Sequence, residues 1–315
     1  MKPLISKNQF NQNFTKSNML LDVEAPILTL NNNSWGLKDN QFYFHTNSIK
    51  LDEVNVKIID QKNEKIIAKR VDKAAKKFLI DFNLGVDTIQ IKRSRFIASQ
   101  KFDFNNVNLT VLGLVNAYGK QLHINNVILK NPKFTIFGQP KRVAQREGKT
   151  SKEFNDIIKV DKISLVNGHL DVIPYQQKTP NLTLKQIQLT FNQINVDPKT
   201  IQEAIPFSYK SVLLKSSGID FDLGKTYRLN TGALQFQNGN LTLNQLKLTP
   251  KLSRKAYTAS LKKQADLYTI SVNQLQGNGI QWGISPSKDF FLKANHMKLN
   301  QLYANIYRSL LPPED

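Results

Sequence analysis

The 315-residue chain contains no cysteine and only four histidines. Without cysteine it cannot form disulfide bonds, thiolate-ligated zinc sites or iron–sulfur clusters, and it has no thiol nucleophile. The histidines, His45, His123, His169 and His296, lie far apart within or beside strand-like patterns, and none belongs to a His-x-x-x-His motif. We therefore expect no metal ion, no other cofactor and no catalytic histidine.

Catalytic motifs are also missing. The chain has no Gly-x-Ser-x-Gly elbow, no phosphate-binding Gly-Lys-Ser/Thr loop and no dinucleotide fingerprint after a strand. Asp220 and Asp222 would share one face of a strand, but the alternation around them is typical of the solvated side of an amphipathic strand. The sequence therefore predicts a protein that is not an enzyme.

Long apolar runs are absent as well. A membrane-spanning helix needs about 20 mostly apolar residues, and the longest candidate, residues 111–118, already contains Gly113 and Asn116. The polar residues 1–17 lack the apolar core of a secretory signal peptide. Two interpretations follow, a cytoplasmic protein or a part of a longer chain.

What the chain does have is alternation. Short runs in which apolar and polar residues alternate recur every 8–12 residues or so, for example residues 88–91, 187–191 and 269–272. Period-2 alternation is the pattern of a half-buried β-strand, because successive side chains face opposite sides of a sheet. We predict an all-β fold in which antiparallel strand pairs repeat, with one or two short helices. A two-turn helix is expected at 199–205, after Asp197 and Pro198.

A second pattern is superimposed on the first, in which two apolar-x-apolar pairs are separated by two residues. It occurs at residues 102–109, 122–129, 182–189, 241–248 and 292–299. The phase of alternation changes inside each copy, so one face stays apolar only if a β-bulge or a two-residue turn lies there. Asn-Gly at 167–168 and at 238–239 predicts type I′ hairpins, with Leu165 facing Leu170 and Phe236 facing Leu241.

Two segments indicate an internal repeat. Residues 181–190 and 240–249 are identical at seven of ten positions. A repeating β-structure is therefore favoured over a small closed barrel.

The chain is strongly basic, with 44 Lys and Arg against 24 Asp and Glu, a net charge of +20. This excess predicts attraction to acidic partners. The poorly patterned segment around 140–152 is interpreted as a basic loop that divides the chain into an N-terminal part, 1–140, a linker, 141–159, and a C-terminal part, 160–315. Aromatic residues do not interleave with the basic ones, so no specific nucleic-acid binding is expected. The candidate residues for anionic headgroups in this loop are Lys141, Arg142, Arg146, Lys149 and Lys152.

The C-terminal part resembles the AsmA-like group of bacterial envelope proteins, in particular the long versions of Bacteroidetes-type envelopes. The resemblance is carried by residues 238–250, by 251–255 with Asp266, by the apolar strand 268–272, and by 304–308 with Leu311 and Pro312. It implies an elongated, curled sheet with an apolar concave side that holds or conducts lipids in the periplasm during outer-membrane biogenesis. It also implies an N-terminal membrane anchor, absent from this chain, and envelope protein partners.

The residues supply a mechanism for this expectation. Each CH₂ group removed from water contributes about 0.8 kcal/mol, so a sheet with one long apolar face can hold lipid tails while their heads stay in water. The same side chains could equally fill the core of a sandwich against a second sheet. The candidates for the apolar face are Leu165, Leu170, Leu182, Leu184, Leu189, Phe191, Phe236, Leu241, Leu243, Leu246 and Leu248.

Two functions are therefore predicted as alternatives. The first is a non-enzymatic lipid-binding or lipid-bridging module of the bacterial envelope, which meets phospholipid or other lipid and membrane surfaces. The second is a structural or adhesive β-protein that binds acidic polymers, such as lipopolysaccharide or polysaccharide, through its basic surface.

Overall fold

A computed structural model describes residues 19–60, 79–98, 101–119, 121–138, 155–203, 205–284 and 290–309. The described chain is almost entirely β-strand, so the prediction of an all-β fold is confirmed. The strands of the first half are β1 (Met19–Glu24), β2 (Ile27–Lys38), β3 (Gln41–Asp52), β4 (Asn55–Asp60), β5 (Asn83–Ala98), β6 (Phe102–Ala117), β7 (Gln121–Lys130) and β8 (Lys133–Phe137). Those of the second half are β9 (Ile157–Ile173), β10 (Leu182–Val196), β11 (Ser211–Ser216), β12 (Gly218–Leu223), β13 (Tyr227–Asn230), β14 (Leu234–Gln237), β15 (Asn240–Pro250), β16 (Asp266–Asn278), β17 (Gln281–Ile284), β18 (Phe290–Lys293) and β19 (His296–Arg308).

Helical structure is confined to two short pieces of the described chain. The helix expected at 199–205 is wrong in extent, because only the 3₁₀ turn Thr200–Gln202 forms there. The carboxylate of Asp197 accepts hydrogen bonds from the backbone N–H groups of Lys199 and Thr200, at 2.9 and 2.8 Å, and so initiates the turn. The α-helix α1 (Arg254–Ser260) was not anticipated, and its N-cap Ser253 accepts from the backbone N–H of Ala256.

Seventeen of the strands form one sheet, and β17 and β18 form a small separate hairpin. Ten of the seventeen lie end to end in five rows, β1 with β2, β3 with β4, β7 with β8, β11 with β12, and β13 with β14, so that the sheet is twelve rows wide. The rows are arranged across the sheet in sequence order, with β1 and β2 at one edge and β19 at the other. At about 4.8 Å between neighbouring strands, the sheet extends roughly 50 Å across its rows.

Neighbouring rows are antiparallel with two exceptions. Rows two and three pair in parallel, through β3 and β4 against β5, and rows five and six do so through β7 and β8 against β9. A parallel pair needs a long crossover connection, and the chain between the paired strands is long in both places, spanning residues 61–82 and 138–156. Strand β9 begins at Ile157, inside the predicted linker, and joins the two predicted parts of the chain in a single sheet.

Residues with left-handed backbone conformation interrupt the long strands along two lines that cross the rows. In rows one to seven, the cross-strand register brings into one line Asn32, Asn47, Asp87, Gly113, Asn125, Asp161 and Gln193. Three of them, Asn32, Gly113 and Gln193, have φ angles of 53°, 63° and 51°. A positive φ inside a strand bends that strand, so the sheet bends along this first bend line.

The second bend line crosses rows two to twelve. Eight of its residues have φ angles between 48° and 55°, namely Glu53, Arg93, Asn106, Asn131, Asn167, Gln186, Gln245 and Gln301. Asn167 Nδ2 donates to Asn131 Oδ1 at 2.7 Å, which ties two neighbouring rows together at the line. The repeat at 181–190 and 240–249 is explained here, because its shared glutamine is Gln186 in one copy and Gln245 in the other.

The two Asn-Gly pairs have different roles. Asn238 and Gly239 form the predicted hairpin turn between β14 and β15, with Phe236 facing Leu241. The hairpin predicted at Asn167-Gly168 is wrong, because both residues lie inside β9, which continues across the second bend line. Leu165 therefore faces Leu189 of the next row, and Leu170 faces Leu184.

The apolar face lies on the inner side of both bends. Beside the first line, Thr46 and Val86 are 0% and 2% exposed, and beside the second line Ser94 and Val107 are 0% and 5% exposed. Larger apolar side chains on the flat segments between the bends are only half-buried. Burial concentrated along the bends, with half-burial between them, is the pattern of a trough.

Candidate functional site

A single ladder of apolar side chains crosses the entire sheet. Residues directly opposite one another on neighbouring strands point to the same face, and one such series passes through all twelve rows without interruption. At the single glycine of this series, Gly277, the side chain of Ile280 occupies the space, with Cδ1 2.9 Å from where a Cβ would lie. The ladder consists of Leu28, Leu51, Ile91, Leu109, Leu129, Leu165, Leu189, Leu214, Phe236, Leu241, Gly277 and Met297.

The apolar face continues across the second bend line. A Cβ on Gly168 would lie 2.5 Å from Cδ2 of Leu165 and 3.5 Å from Cβ of Ile187, so side chains on both sides of the bend meet on one face. Beyond this bend, the rings of Phe104 and Phe134 pack edge to face across rows four and five at 5.1 Å. The left-handed residue in each strand changes the phase of alternation, and because facing strands both carry one, the pairing register is the same on the two sides of the bend.

The structure places all eleven predicted apolar-face residues on this face. Leu165, Leu189, Phe236 and Leu241 belong to the ladder itself. The other seven lie opposite apolar partners on parallel ladders, and each of the eleven is half-buried. These seven are Leu170, Leu182, Leu184, Phe191, Leu243, Leu246 and Leu248.

The N-terminal rows contribute as much to this face as the C-terminal rows, and the sequence interpretation missed them as site residues. Leu51, Ile91, Leu109 and Leu129 are ladder members in rows two to five. The signal that could have identified them was the same paired apolar pattern at 102–109 and 122–129. The AsmA-like resemblance covers only the second half of the chain, so it gave no indication of these residues.

Polar groups on the apolar face satisfy their hydrogen bonds internally. Thr46 Oγ1 donates to the carbonyl oxygen of Asn31 at 2.9 Å, and Ser94 Oγ donates to that of Lys92 at 2.8 Å. Asn116 Nδ2 donates to two backbone carbonyls, those of Ile80 and Phe82, at 3.0 and 2.7 Å. These three groups therefore need no water to satisfy their hydrogen bonds.

No second large sheet covers this face within the described part of the chain, where only β17 and β18 lie outside the main sheet. At the two edge rows the face is widely exposed, with Trp35 71% and Leu302 55% accessible. Monomeric soluble proteins seldom expose contiguous apolar surface of this extent, and where they do it usually marks a site of interaction.

The outer face carries ion pairs. Arg228 forms a two-point contact with Asp220, whose pKa is lowered chiefly by this hydrogen bond. Lys251 Nζ donates to Asp222 at 2.8 Å, and this contact likewise lowers the pKa of that carboxyl group. A further pair lies at the strand ends on the inner side, where Arg308 Nε donates to Asp266 at 3.0 Å and lowers the pKa of Asp266. The interpretation of Asp220 and Asp222 as the solvated side of a strand is confirmed.

Three histidines lie beside carboxylates on the outer face, which the sequence did not predict. His45 Nε2 lies 3.0 Å from Asp87 Oδ1, and His123 Nε2 lies 3.0 Å from Asp161 Oδ1. Both pairs lie at the first bend line, each between two strands that pair in parallel. In both, the histidine belongs to a His-x-Asn sequence and the aspartate to a Val-Asp sequence. His169 pairs with Asp171 in the same way. All these pairs are partly exposed, and no group of three metal-ligating side chains occurs among the residues that the structure describes.

Two clefts of the described surface lie beside amide side chains. One, of about 670 Å³, is lined mainly by the amides Asn244, Gln245, Asn273 and Gln274, and the other, of about 650 Å³, lies beside Asn167 and Gln186. Both follow the second bend line. The first has a mainly polar lining, whereas the second also includes the apolar side chains of Ala233 and Leu234.

The predicted headgroup residues, Lys141, Arg142, Arg146, Lys149 and Lys152, lie outside the described residues. Within the described ranges, none of the helices has the length and apolar composition needed to cross a bilayer.

No protein-family model matches the chain, and comparisons with curated proteins and with solved structures gave no significant match. The AsmA-like resemblance therefore stays a prediction.

Proposed function

We propose that this protein is a non-enzymatic lipid-binding or lipid-bridging module in which acyl chains lie along the apolar trough. The observation that carries the proposal is the unbroken ladder from Leu28 in the first row to Met297 in the last. A hydrocarbon tail placed anywhere along it replaces water over half-buried leucine and isoleucine side chains. Each CH₂ removed from water contributes about 0.8 kcal/mol.

The openness of the face supports this function over a purely structural one. In a sandwich, the inner side chains of two sheets interdigitate and become buried, whereas the eleven predicted apolar-face residues here are all half-buried. The trough also continues to both edges of the sheet, so a guest molecule that follows the ladder crosses successive rows over uncharged residues.

A location on the periplasmic side of a bacterial envelope, with other envelope proteins as partners, belongs to the same proposal. It is supported by the sequence resemblance of the C-terminal part to AsmA-like proteins. The twelve-row curled sheet is the architecture which that resemblance implies.

A second candidate function is adhesion to acidic polymers such as lipopolysaccharide or polysaccharide. The observation that favours it is the net charge of +20, which attracts polyanions over long distances at low salt. This function makes no use of the apolar trough.

Mass spectrometry of lipids extracted from the purified protein tests the proposal. We expect bound phospholipid in the native protein and at least about a tenfold loss in Leu189→Asp, since a loss of about 1.4 kcal/mol of affinity suffices. The matched control is Gln188→Asp, which adds the same charge one residue away on the outer face. Circular dichroism checks that both variants fold. Absence of lipid from the native protein, or equal loss in both folded variants, would contradict the proposal.

A further inference from the structure

The two ends of the strands differ sharply in charge. At one end, the described connections are residue 101, residue 138, residues 174–181, 224–226 and 251–265, and residue 309. They contain eight basic residues and no acidic one, namely Lys101, Lys178, Lys225, Lys251, Arg254, Lys255, Lys262 and Lys263. We refer to this end as the basic rim.

The opposite end has the reverse balance. Its described connections are 39–40, 79–82, 118–119, 155–156, 197–203, 205–210, 238–239, 279–284 and 290–295. They contain five acidic and three basic residues, namely Asp39, Asp81, Asp156, Asp197, Glu203, Lys199, Lys210 and Lys293. We refer to this end as the acidic rim. Within the connections that the structure describes, positive charge is therefore concentrated along one long side of the trough.

The segment with most of the basic residues is held firmly on the sheet. Tyr257 of α1 is only 8% exposed, and its hydroxyl donates to the carbonyl oxygen of Asp266 at 3.0 Å. At the end of the segment, the N–H of Ala265 donates to Oγ of Ser309, which is 1% exposed. Lys255 and Lys262 are exposed on this fixed platform.

Tyrosines collect at the same rim. Five of the nine tyrosines of the chain lie in its connections or in the strand ends beside them, namely Tyr175, Tyr227, Tyr257, Tyr268 and Tyr307. Tyr175 and Tyr268 are 51% and 37% exposed. Tyrosine, with an apolar ring and a polar hydroxyl, and lysine, with an apolar stem and a charged head, are typical of surfaces that lie at the boundary between lipid and water.

We propose that the basic rim docks the protein on the surface of an anionic lipid bilayer. The lipid phosphates would lie against the exposed Lys178, Lys225, Lys255 and Lys262, and the exposed rings of Tyr175 and Tyr268 would lie at headgroup depth. The acidic rim would then face away from the membrane, so that the docked orientation is fixed by charge. A supply of lipid to the trough from this bilayer rests on the proposed function, but the docking itself does not.

Vesicle co-sedimentation tests the docking. The probes are vesicles of phosphatidylcholine alone and of phosphatidylcholine mixed with phosphatidylglycerol. The rim variant combines Lys225→Glu, Lys255→Glu and Lys262→Glu. The matched control makes the same charge change at the acidic rim with Lys199→Glu, Lys210→Glu and Lys293→Glu.

Each lysine near an anionic surface strengthens binding about fivefold, so we expect the rim variant to lose at least about 100-fold in partitioning to anionic vesicles. The control variant should change much less, and vesicles of phosphatidylcholine alone should bind weakly. Equal losses in both variants would show that net charge alone drives binding and would overturn the proposal. Failure of the native protein to bind anionic vesicles would also overturn it.

Two further measurements separate docking on a bilayer from adhesion to a soluble polyanion and from lipid binding in the trough. If soluble dextran sulfate binds to the native protein as tightly as anionic vesicles of equal charge, the partner is an acidic polymer and the proposal is wrong. Leu189→Asp should still bind vesicles but contain less extractable lipid. The rim variant should contain as much lipid as the native protein but bind vesicles weakly. Vesicle binding by a native protein that contains no lipid would therefore contradict the proposed function but support the docking.

Discussion

The inner and outer faces of this sheet are formed by the same strands but carry different kinds of side chain. On the inner face, apolar residues lie opposite apolar residues through all twelve rows, and the few polar groups bond to the backbone. On the outer face, carboxylates pair with arginine, lysine and histidine. The comparison shows that the amphipathic character of the sheet is maintained over some 50 Å, with no second large sheet among the residues that the structure describes.

The bend lines are what allow the two faces to stay distinct. A flat strand of the length of β9, residues 157–173, would need uninterrupted alternation. Instead, Asn167 takes a left-handed conformation, and the alternation resumes on the same face. Asparagine, glutamine and glycine suit these positions because their side chains, or the lack of one, tolerate positive φ or point into water.

The largest effect on stability is expected at a bend. Gly113 has φ of 63°, and a Cβ there would overlap the side-chain amide of Asn125. We expect Gly113→Val to lower the free energy of unfolding by about 2–3 kcal/mol, since a β-branched residue is strained in this conformation. Chemical denaturation measures the change. Gly224→Ala is the control, because its φ of 84° is similarly unusual but no atom lies within 4 Å, so a loss of only about 1 kcal/mol is expected.

The second-largest change in stability is expected from a substitution on the inner face, compared with one on the outer face. Leu109 lies on the inner face and its neighbour Thr110 on the outer face of β6. We expect Leu109→Ala to lower the free energy of unfolding by about 1–2 kcal/mol. This is at or below the low end of the range for Leu→Ala substitutions in protein cores, because the side chain of Leu109 is only half-buried. Thr110→Ala should cost less than about 0.5 kcal/mol. A loss of about 4 kcal/mol at Leu109 would indicate a sealed core and would contradict the open trough.

A smaller effect is expected from a polar group on the inner face. Ser94 is fully buried, donates to the carbonyl oxygen of Lys92 and accepts from the N–H of Val54 at 3.1 Å. Ser94→Ala leaves that N–H without its acceptor, and we expect a loss of about 1 kcal/mol in thermal or chemical denaturation. Ser164→Ala, on the outer face of β9, is the control. Equal changes in the two variants would show that the buried hydrogen bond contributes nothing.

The smallest effect concerns the ion pairs of the outer face. Arg228 lowers the pKa of Asp220 below its unfolded value. The pair therefore contributes its full stability above the unfolded pKa of about 3.9, and the contribution is lost as the pH falls through the folded pKa. We expect Arg228→Gln to be slightly less stable than the native protein at pH 7, because an exposed ion pair contributes little, and the difference to vanish under strong acid. Lys162→Gln removes the same charge elsewhere on this face and should show no such pH dependence.

The sequence predicted the strand-rich fold and the single apolar face because period-2 alternation depends only on local residues. It also required a bulge or a turn wherever the phase changed, but it could not choose between them. The same dipeptide, Asn-Gly, makes a hairpin at 238–239 and a mid-strand bend at 167–168. Both need a positive φ, and the outcome depends on whether rows on both sides pair with the continuing strand.

Other features depended on distant parts of the chain. The parallel junctions follow from the long connections 61–82 and 138–156, whose paths the local pattern does not specify. Helix α1 was missed because its residues, Arg254–Ser260, carry no apolar stripe and are stabilised by the Ser253 cap and the buried Tyr257. The charge difference between the two rims became visible only once the topology had assigned each connection to an end of the strands.

Site-specific photo-cross-linking tests the central claim most directly. A photo-reactive amino acid replaces Leu165 on the inner face in one variant and Ser164 on the outer face in the other. After irradiation in cells, mass spectrometry of the purified protein should show a phospholipid adduct at position 165 and none at position 164. Adducts of equal yield at both positions, or none at position 165, would contradict a lipid-holding trough.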